Sequence, residues 1–311
     1  MIELEKKISV EPSIQRQILP FRFHIPMDLF LNLIKAKQTL LLVYTSIFSF
    51  FISSWGSNFN WISFTLLFFG IFFAISGATL LNMFIDQDID AVMERTMKRP
   101  LPTKQVQPRM VLTYGLAFSI IGSYLVSFIN FLTMTVVFLG VFINVIVYSM
   151  LLKRKTKYSI IFGGIAGGLP AMAGRVAVIN AIDPIAILLA LFVVTWVPVH
   201  ILTLAALPKN IVGYRKANVP MWPVVSPLEQ NNRVIALSAV FSALIIIMLS
   251  FELQLTLISQ IPLILLSIFL IFLSVTNLIS PTSDRTFKIF KFASMFMIIA
   301  FLAIFIGIIA G

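Results

Sequence analysis

Nine separate stretches of this 311-residue chain are strongly apolar, each close to the roughly 20 residues a helix needs to cross a bilayer core. They lie at 38–56, 61–83, 110–128, 131–152, 159–179, 184–207, 234–251, 255–277 and 288–310. Lipid offers the backbone no hydrogen bonds, so such segments must be helices or strands of a closed barrel. A barrel needs alternating segments of about ten residues, and none is seen. The expected fold is therefore all-α: a polytopic membrane protein built as a bundle of nine transmembrane helices. Composition excludes the obvious rivals. With 59% hydrophobic and 11% charged residues, the chain lacks the polar surface of a soluble domain and the charge density of a disordered one. It has no cysteine, which removes disulfides, thiolate metal sites and a cysteine nucleophile.

The formal charge of +11 would suit a nucleic-acid partner if the cations formed a patch. They follow topology instead. With the N-terminus cytoplasmic, residues 1–37, 84–109, 153–158, 208–233 and 278–291 hold 22 of the 23 Lys and Arg, and only Arg175 lies opposite. Adding or dropping a central span would destroy that asymmetry. The expectation is an N-terminal arm over 1–37, a membrane domain over 38–311, no nucleic-acid partner and no secretory leader.

The sharpest polar feature ends the second span, at Asn82-Met83-Phe84-Ile85-Asp86-Gln87-Asp88-Ile89-Asp90. Asn82, Asp86 and Asp90 recur every four residues, so on a helix they share one face with a drift of ~40° per step. Hard oxygen donors in that arrangement suit Mg²⁺, which bridges to substrate phosphates. The alternative is a solvated helix end. Asp88 points elsewhere and is expected to be solvated or ion-paired. Arg95 and Arg99 follow at once, and acids followed by cations can hold a metal-bound diphosphate from both sides. Lys104 and Arg109 read as ordinary topological charge. By themselves Lys153-Arg154-Lys155-Thr156-Lys157 read the same way.

Gly163-Gly164-Ile165-Ala166-Gly167-Gly168 lacks the strand and the Lys of a phosphate loop and is expected to serve close helix packing. Trp196-Val197-Pro198-Val199-His200 places a proline inside the sixth span, where it removes a backbone hydrogen bond and is expected to kink the helix. His200 beside it reads equally well as a structural residue or as a ligand or proton-transfer group.

Four stretches together resemble the UbiA superfamily of membrane prenyltransferases, and within it the heme-prenylating protoheme IX farnesyltransferase (heme O synthase) branch. They are Asn82-x-x-x-Asp86-x-Asp88-Ile89-Asp90-x-x-Met93-x-Arg95-Thr96-x-x-Arg99-Pro100-Leu101-Pro102; Tyr148 with Lys153-Arg154-x-Thr156 and the glycine run to Pro170; Trp196-x-Pro198-x-His200; and Tyr214-x-x-Ala217-Asn218-Val219-Pro220-Met221-Trp222-Pro223-Val224-Val225. The resemblance implies nine helices around a central cavity in the plasma membrane of a prokaryote, with the active site facing the cytoplasm. It implies transfer of a farnesyl or longer group, from farnesyl or geranylgeranyl diphosphate, to the vinyl group of heme B, with Mg²⁺ bridging the diphosphate. Heme B would then be a substrate rather than a cofactor, and a heme A synthase or terminal oxidase a candidate partner. Carried over residue by residue, Asn82, Asp86 and Asp90 would hold the metal, and Arg95, Arg99, Lys153 and Arg154 the diphosphate or heme propionates. His200 would act at the heme, and Tyr148, Trp196 and Tyr214 would line the pocket.

The chain also departs from the pattern. The family's second acidic motif should precede Tyr214, yet no Asp or Glu occurs between Asp183 and Glu229. Asn210 could coordinate weakly there, or Lys209 and Arg215 could supply counter-charge in place of a metal. Ser159 and Arg175 stand where the family usually has Asn and Trp. The rival readings are a prenyltransferase acting on a quinone precursor or lipid alcohol, and a non-catalytic heme-handling or transport protein.

Overall fold

The computed structural model describes residues 26–57 and 59–311. The part of the N-terminal arm before residue 26 lies outside the described residues. The described arm contains the short helix α1 (Met27–Leu33), which meets the first spanning helix α2 (Ala36–Ser54) at Lys35. Next come α3 (Trp61–Ile85), the one-and-a-half-turn α4 (Gln87–Val92) and α5 (Pro108–Ser127). The fourth span starts as α6 (Phe131–Phe142) and continues as a π-helix over Ile143–Leu152. Then follow α7 (Ser159–Ile179), α8 (Pro184–Ala205), α9 (Pro208–Lys216) and α10 (Trp222–Val225). The chain closes with α11 (Leu228–Glu252), α12 (Leu257–Ile279) and α13 (Ser283–Ala310).

Among the described residues, nine helices are long and apolar enough to cross a membrane, as the sequence predicts. The differences lie at the polar ends. The last of the nine begins at Ser283 rather than 288, and the seventh at Leu228 rather than 234. Both added segments carry i,i+4 ion pairs, Asp284–Lys288 and Glu229–Arg233, which favour helix outside the apolar stretch.

Lipid removes the hydrophobic drive for helix association, so packing relies on close approach and van der Waals contact. α7 and α8 are the most enclosed spans, and glycine sets their separation. A Cβ at Gly168 would lie 2.6 Å from the carbonyl oxygen of Ala190, so only glycine fits there without displacing α8. Pro198 lacks an N–H, yet α8 runs unbroken from Pro184 to Ala205. The Val194 carbonyl that Pro198 leaves without its helical donor faces Gly164. The glycine run is therefore a packing surface. Phe192 of α8 nests against Phe296 and Phe301 of α13, with ring centroids 5.8 and 5.7 Å apart, in the largest core cluster. Some buried hydroxyls bond back along their own helices, such as Ser119 to Gly115 O and Thr203 to Val199 O, which offsets their polar cost, while others, such as Ser46 and Ser76, have no partner. Outward-facing Ile258, Leu265 and Phe272 on α12 are exposed, as lipid contact requires.

Cross-connections bring the polar segments to one end. Lys157 donates to Ser226 Oγ at 2.7 Å and stacks over Trp222, joining the connection after the π-helix to α10. Glu94, after α4, faces Lys209 of α9 at 4.0 Å. At the other end, Arg175 of α7 binds Asp183 at the start of α8.

Candidate active site

The second span does not continue smoothly through the acidic motif. α3 stops at Ile85, Asp86 turns the chain with φ −94° and ψ 14°, and α4 restarts at Gln87. The four-residue relation survives the break: the Asp86 amide donates to Asn82 O at 2.9 Å, and the Asp90 amide to Asp86 O at 2.8 Å. Asp86 and Asp90 are consequently both buried, while Asp88 is exposed.

Each buried carboxylate has its own cation. Lys153 Nζ donates to Asp86 Oδ2. Arg99 Nη1 donates to both oxygens of Asp90, at 2.8 and 2.7 Å. Thr96, also buried, bonds to the Asp90 carbonyl and fixes the loop that carries Arg99. Burial opposes the Lys153 charge, but the electrostatic pull of Tyr148 and Asp86 prevails and holds the amine above its ordinary value.

The π-helix explains how Lys153 arrives there. In an α-helix, residues five apart diverge by ~140°, whereas i→i+5 hydrogen bonding stacks them. Lys153 N bonds to Tyr148 O in that register. Asn144 and Ser149, also five apart, both reach Asn82: the Asn82 amide nitrogen donates to Asn144 Oδ1, and Ser149 Oγ donates to Asn82 Oδ1 at 2.8 Å. Asn144 and Ser149 were not legible as site residues, because a π-helix reads in sequence as ordinary apolar span.

Tyr148 is a hub of the cluster. Lys153 Nζ sits 5.7 Å from its ring centre, and Asp86, Arg95 and Tyr214 lie within Coulombic reach of it. Lys35, at the α1–α2 break, lies within similar reach of Arg99, Asp90, Lys153 and Asp86. Burial, reinforced by the Arg99 cation, pushes the Lys35 amine down to about 7. Sequence reasoning counted Lys35 only as topological charge.

Other expected residues stand apart. Arg154 stands outside the cluster: it clamps the exposed Asp88 at 2.6 and 2.7 Å and donates to Ile85 O. The Arg154 hydrogen bond holds the Asp88 carboxyl below its usual range. Adjacency to Lys153 suggested a shared role for Arg154, but successive helix residues point in different directions. His200 is stacked between Trp196 and Phe290, with ring centres 4.7 and 4.8 Å away, and its Nδ1 meets Ser294 Oγ at 3.2 Å. Trp196 is buried and donates to Ala293 O. These partners belong to the α8–α13 seam, and neither Asp86 nor Asp90 is among them.

In place of the second acidic motif, Asn210 spends its amide nitrogen on Leu204 O at 2.7 Å, tying α9 to the end of α8. Lys209 and Asn210 line an open cleft of about 410 Å³ opposite Met93, Glu94 and Arg95. Glu94 is the carboxylate that enters this cleft, from the first motif rather than the second.

A Mg²⁺ ion fits this donor set in one specific sense. Asp86 Oδ1 is buried and has no hydrogen-bond partner, so it is an acceptor awaiting a cation or donor. Among the described residues no group of three or more His, Cys, Asp or Glu could enclose a metal. An ion here would be held by one or two carboxylates and completed by phosphate oxygens and water, the habit of Mg²⁺.

The comparisons with known proteins agree with this arrangement. The profile of the UbiA prenyltransferase family matches residues 42–306. The protoheme IX farnesyltransferase of Archaeoglobus fulgidus is 35% identical over 278 residues, covering 88% of this chain and 95% of that protein. A solved digeranylgeranylglyceryl phosphate synthase superposes with a TM-score of 0.76 at 20% identity, over 91% of this chain and 99% of the other. An A. fulgidus UbiA homologue bound to DMAPP and Mg²⁺ gives 0.66 at 18% identity, over 88% and 98%. These last two show a shared fold, while the profile and the A. fulgidus enzyme show descent: the chain belongs to the UbiA prenyltransferase family.

Proposed function

We propose that this protein transfers a farnesyl or longer isoprenyl group from its diphosphate to the vinyl group of protoheme IX, making heme O. The observation that carries this reading is the pair of buried carboxylates, each with a cation, at one end of an apolar bundle. The protoheme IX farnesyltransferase relative supports heme as the acceptor. Asp86 and Asp90, with Asn82 beside them, would hold Mg²⁺, which would offset the charge of the diphosphate; the DMAPP-bound and Mg²⁺-bound homologue supports this assignment.

The chain's own residues do the remainder. Lys153 and Arg99 aim fixed positive charge at the leaving diphosphate, and fixed charge in a low-dielectric site is effective because it need not reorganise. Arg95, which lines the cleft, and Tyr214 complete the cluster around Tyr148. The allylic C–O bond breaks with its electron pair leaving on the diphosphate. The vinyl π-electrons form the new C–C bond, and water adds to the resulting cation with loss of a proton. With Nδ1 held by Ser294, Nε2 is the His200 nitrogen assigned to the heme side of the reaction. The 22 cations counted on one side support a site in the cytoplasmic half of the membrane, here read as the plasma membrane of a prokaryote.

The test incubates the purified protein with heme B, Mg²⁺ and farnesyl or geranylgeranyl diphosphate and weighs the hemes by mass spectrometry. A heme gaining one prenyl group and one hydroxyl supports the reading. Recovery of heme B alone, with a control enzyme active, sinks it; products from 4-hydroxybenzoate or a lipid alcohol would reassign the acceptor.

A further inference from the structure

Ser294 of α13 touches two groups, and together they decide which nitrogen of His200 carries the proton. Its Oγ lies 2.7 Å from Phe290 O and 3.2 Å from His200 Nδ1. An O···O distance of 2.7 Å is that of a hydrogen bond. The carbonyl has no proton to give, and the serine hydroxyl has one. That proton therefore goes to Phe290 O, the back-bond of a helical serine. Toward His200, Ser294 Oγ can then only accept. Nδ1 carries the ring proton, and in the neutral ring Nε2 is left with a bare lone pair.

The ring is also held in place. Trp196 and Phe290 stack on it with interplanar angles of 15° and 27°. Trp196 Nε1 donates to Ala293 O at 2.7 Å, so the residue beside Ser294 fixes the register of α8 against α13. With the faces and Nδ1 occupied, Nε2 is the polar atom that remains. Among the described residues nothing bonds to it, and it is not one of the enclosed unpartnered atoms; His200 is partly exposed. An imidazole with one N–H tied to an acceptor and the other nitrogen open is the arrangement of a metal-ligating histidine. A general base would need a group to stabilise the imidazolium, and among the described residues no carboxylate meets this ring.

We propose that Ser294 is a positioning residue that holds His200 in the Nδ1–H form, so that Nε2 binds the iron of heme B and fixes this acceptor while its vinyl group reacts. The proposal rests on the prenyl-transfer reading above. It adds the ligating nitrogen and the α13 residue that selects it, which lies outside the four recognised stretches.

The experiment titrates the purified full-length protein with ferric heme B, records absorption and EPR spectra, and compares heme B with iron-free protoporphyrin IX as prenyl acceptor. Wild type should give the spectrum of imidazole-ligated iron, and His200→Gly should lose it. Ser294→Ala should weaken heme binding about 10- to 100-fold, the cost of losing the hydrogen-bond partner of a ligating histidine. Without that acceptor the ring proton moves to Nε2, on the open side. The KM for farnesyl diphosphate should stay unchanged. Ser294→Thr keeps the hydroxyl and should restore both spectrum and affinity. A serine with only a structural role would lower the melting temperature when replaced and leave the heme spectrum as in wild type. Wild-type heme affinity and spectrum in Ser294→Ala overturn the proposal. Prenylation of protoporphyrin IX as fast as heme B also overturns it, while leaving prenyl transfer itself standing. Imidazole-type ligation by a wild-type protein that transfers no prenyl group to heme B overturns the prenyl-transfer reading alone.

Discussion

Asp86 and Lys153, 67 residues apart in the chain, form a buried ion pair that uses only one oxygen of the carboxylate and leaves Oδ1 without a partner. The pair thus has two separable properties, charge balance and an open acceptor. Asp86→Asn keeps the shape but strands the Lys153 charge, which should cost about 3–5 kcal/mol of stability. Asp86→Asn/Lys153→Met should recover most of that stability, since neither charge is then unpaired. Neither variant should recover turnover, which is expected to fall at least about 100-fold with loss of the metal ligand and the counter-charge. Thermal melts in detergent and heme product analysis check both halves. Near-normal prenyl transfer by Asp86→Asn would remove Asp86 from the metal site.

The π-helix over Ile143–Leu152 makes a second prediction. Removing Val147 should let the span relax to α-helical register without breaking its apolar stretch. Lys153 and Asn144 could then no longer both face α3, because eight residues in α-helical register leave them ~80° apart. The variant should insert and elute as a folded protein, yet lose transfer activity. An active deletion variant would show that the wide helix does not position the site.

These two cases show where the sequence is informative. The nine spans were legible because apolar length alone decides them, and Asn82, Asp86 and Asp90 because a four-residue spacing survives even a break at Asp86. Which cation meets which carboxylate was not legible. Lys153 and Arg154 look equivalent in sequence, but only Lys153 turns inward, and the cause is a hydrogen-bond register that composition does not reveal. Lys35 looked like one more positive charge outside the membrane. It sits at the α1–α2 break in a left-handed conformation, and such breaks depend on tertiary packing rather than on local propensity.

Asn210 stands near where a second acidic motif would be expected, which makes Asn210→Asp a natural attempt at restoring it. The structure predicts failure. Asn210 donates to Leu204 O, and a carboxylate there cannot donate and would face a carbonyl oxygen. Asn210→Asp should lose about 1–3 kcal/mol of stability and gain no turnover. Melting curves and steady-state rates at several Mg²⁺ concentrations decide it, and a gain in activity or in Mg²⁺ affinity would show that the cleft accepts a second metal.

At the opposite end of the bundle, the Arg175–Asp183 pair makes stability depend on pH. Asp183 caps α8 by accepting from the Ala186 amide at 2.8 Å and also holds Arg175 at 2.7 Å. Partial burial raises its carboxyl pKa, but the Arg175 hydrogen bond and the Ala186 amide outweigh that and hold it below the usual range. A folded-state value below the unfolded one gives stability that is fully present above the unfolded pKa, ~3.9, and lost as pH falls through the folded value. Asn caps helices as well as Asp does, so Asp183→Asn isolates the charge. At pH 7 it should cost about 1 kcal/mol, a value kept small because the pair is partly solvated. That difference should shrink as the pH is lowered past about 4, because protonation brings the wild type to the same neutral state. Asp183→Ala should lose the cap as well, a further ~1 kcal/mol that persists at every pH. Melting curves of the three proteins from pH 7 to pH 3 test this, and parallel wild-type and Asp183→Asn curves would mean that the ion pair contributes nothing to folding.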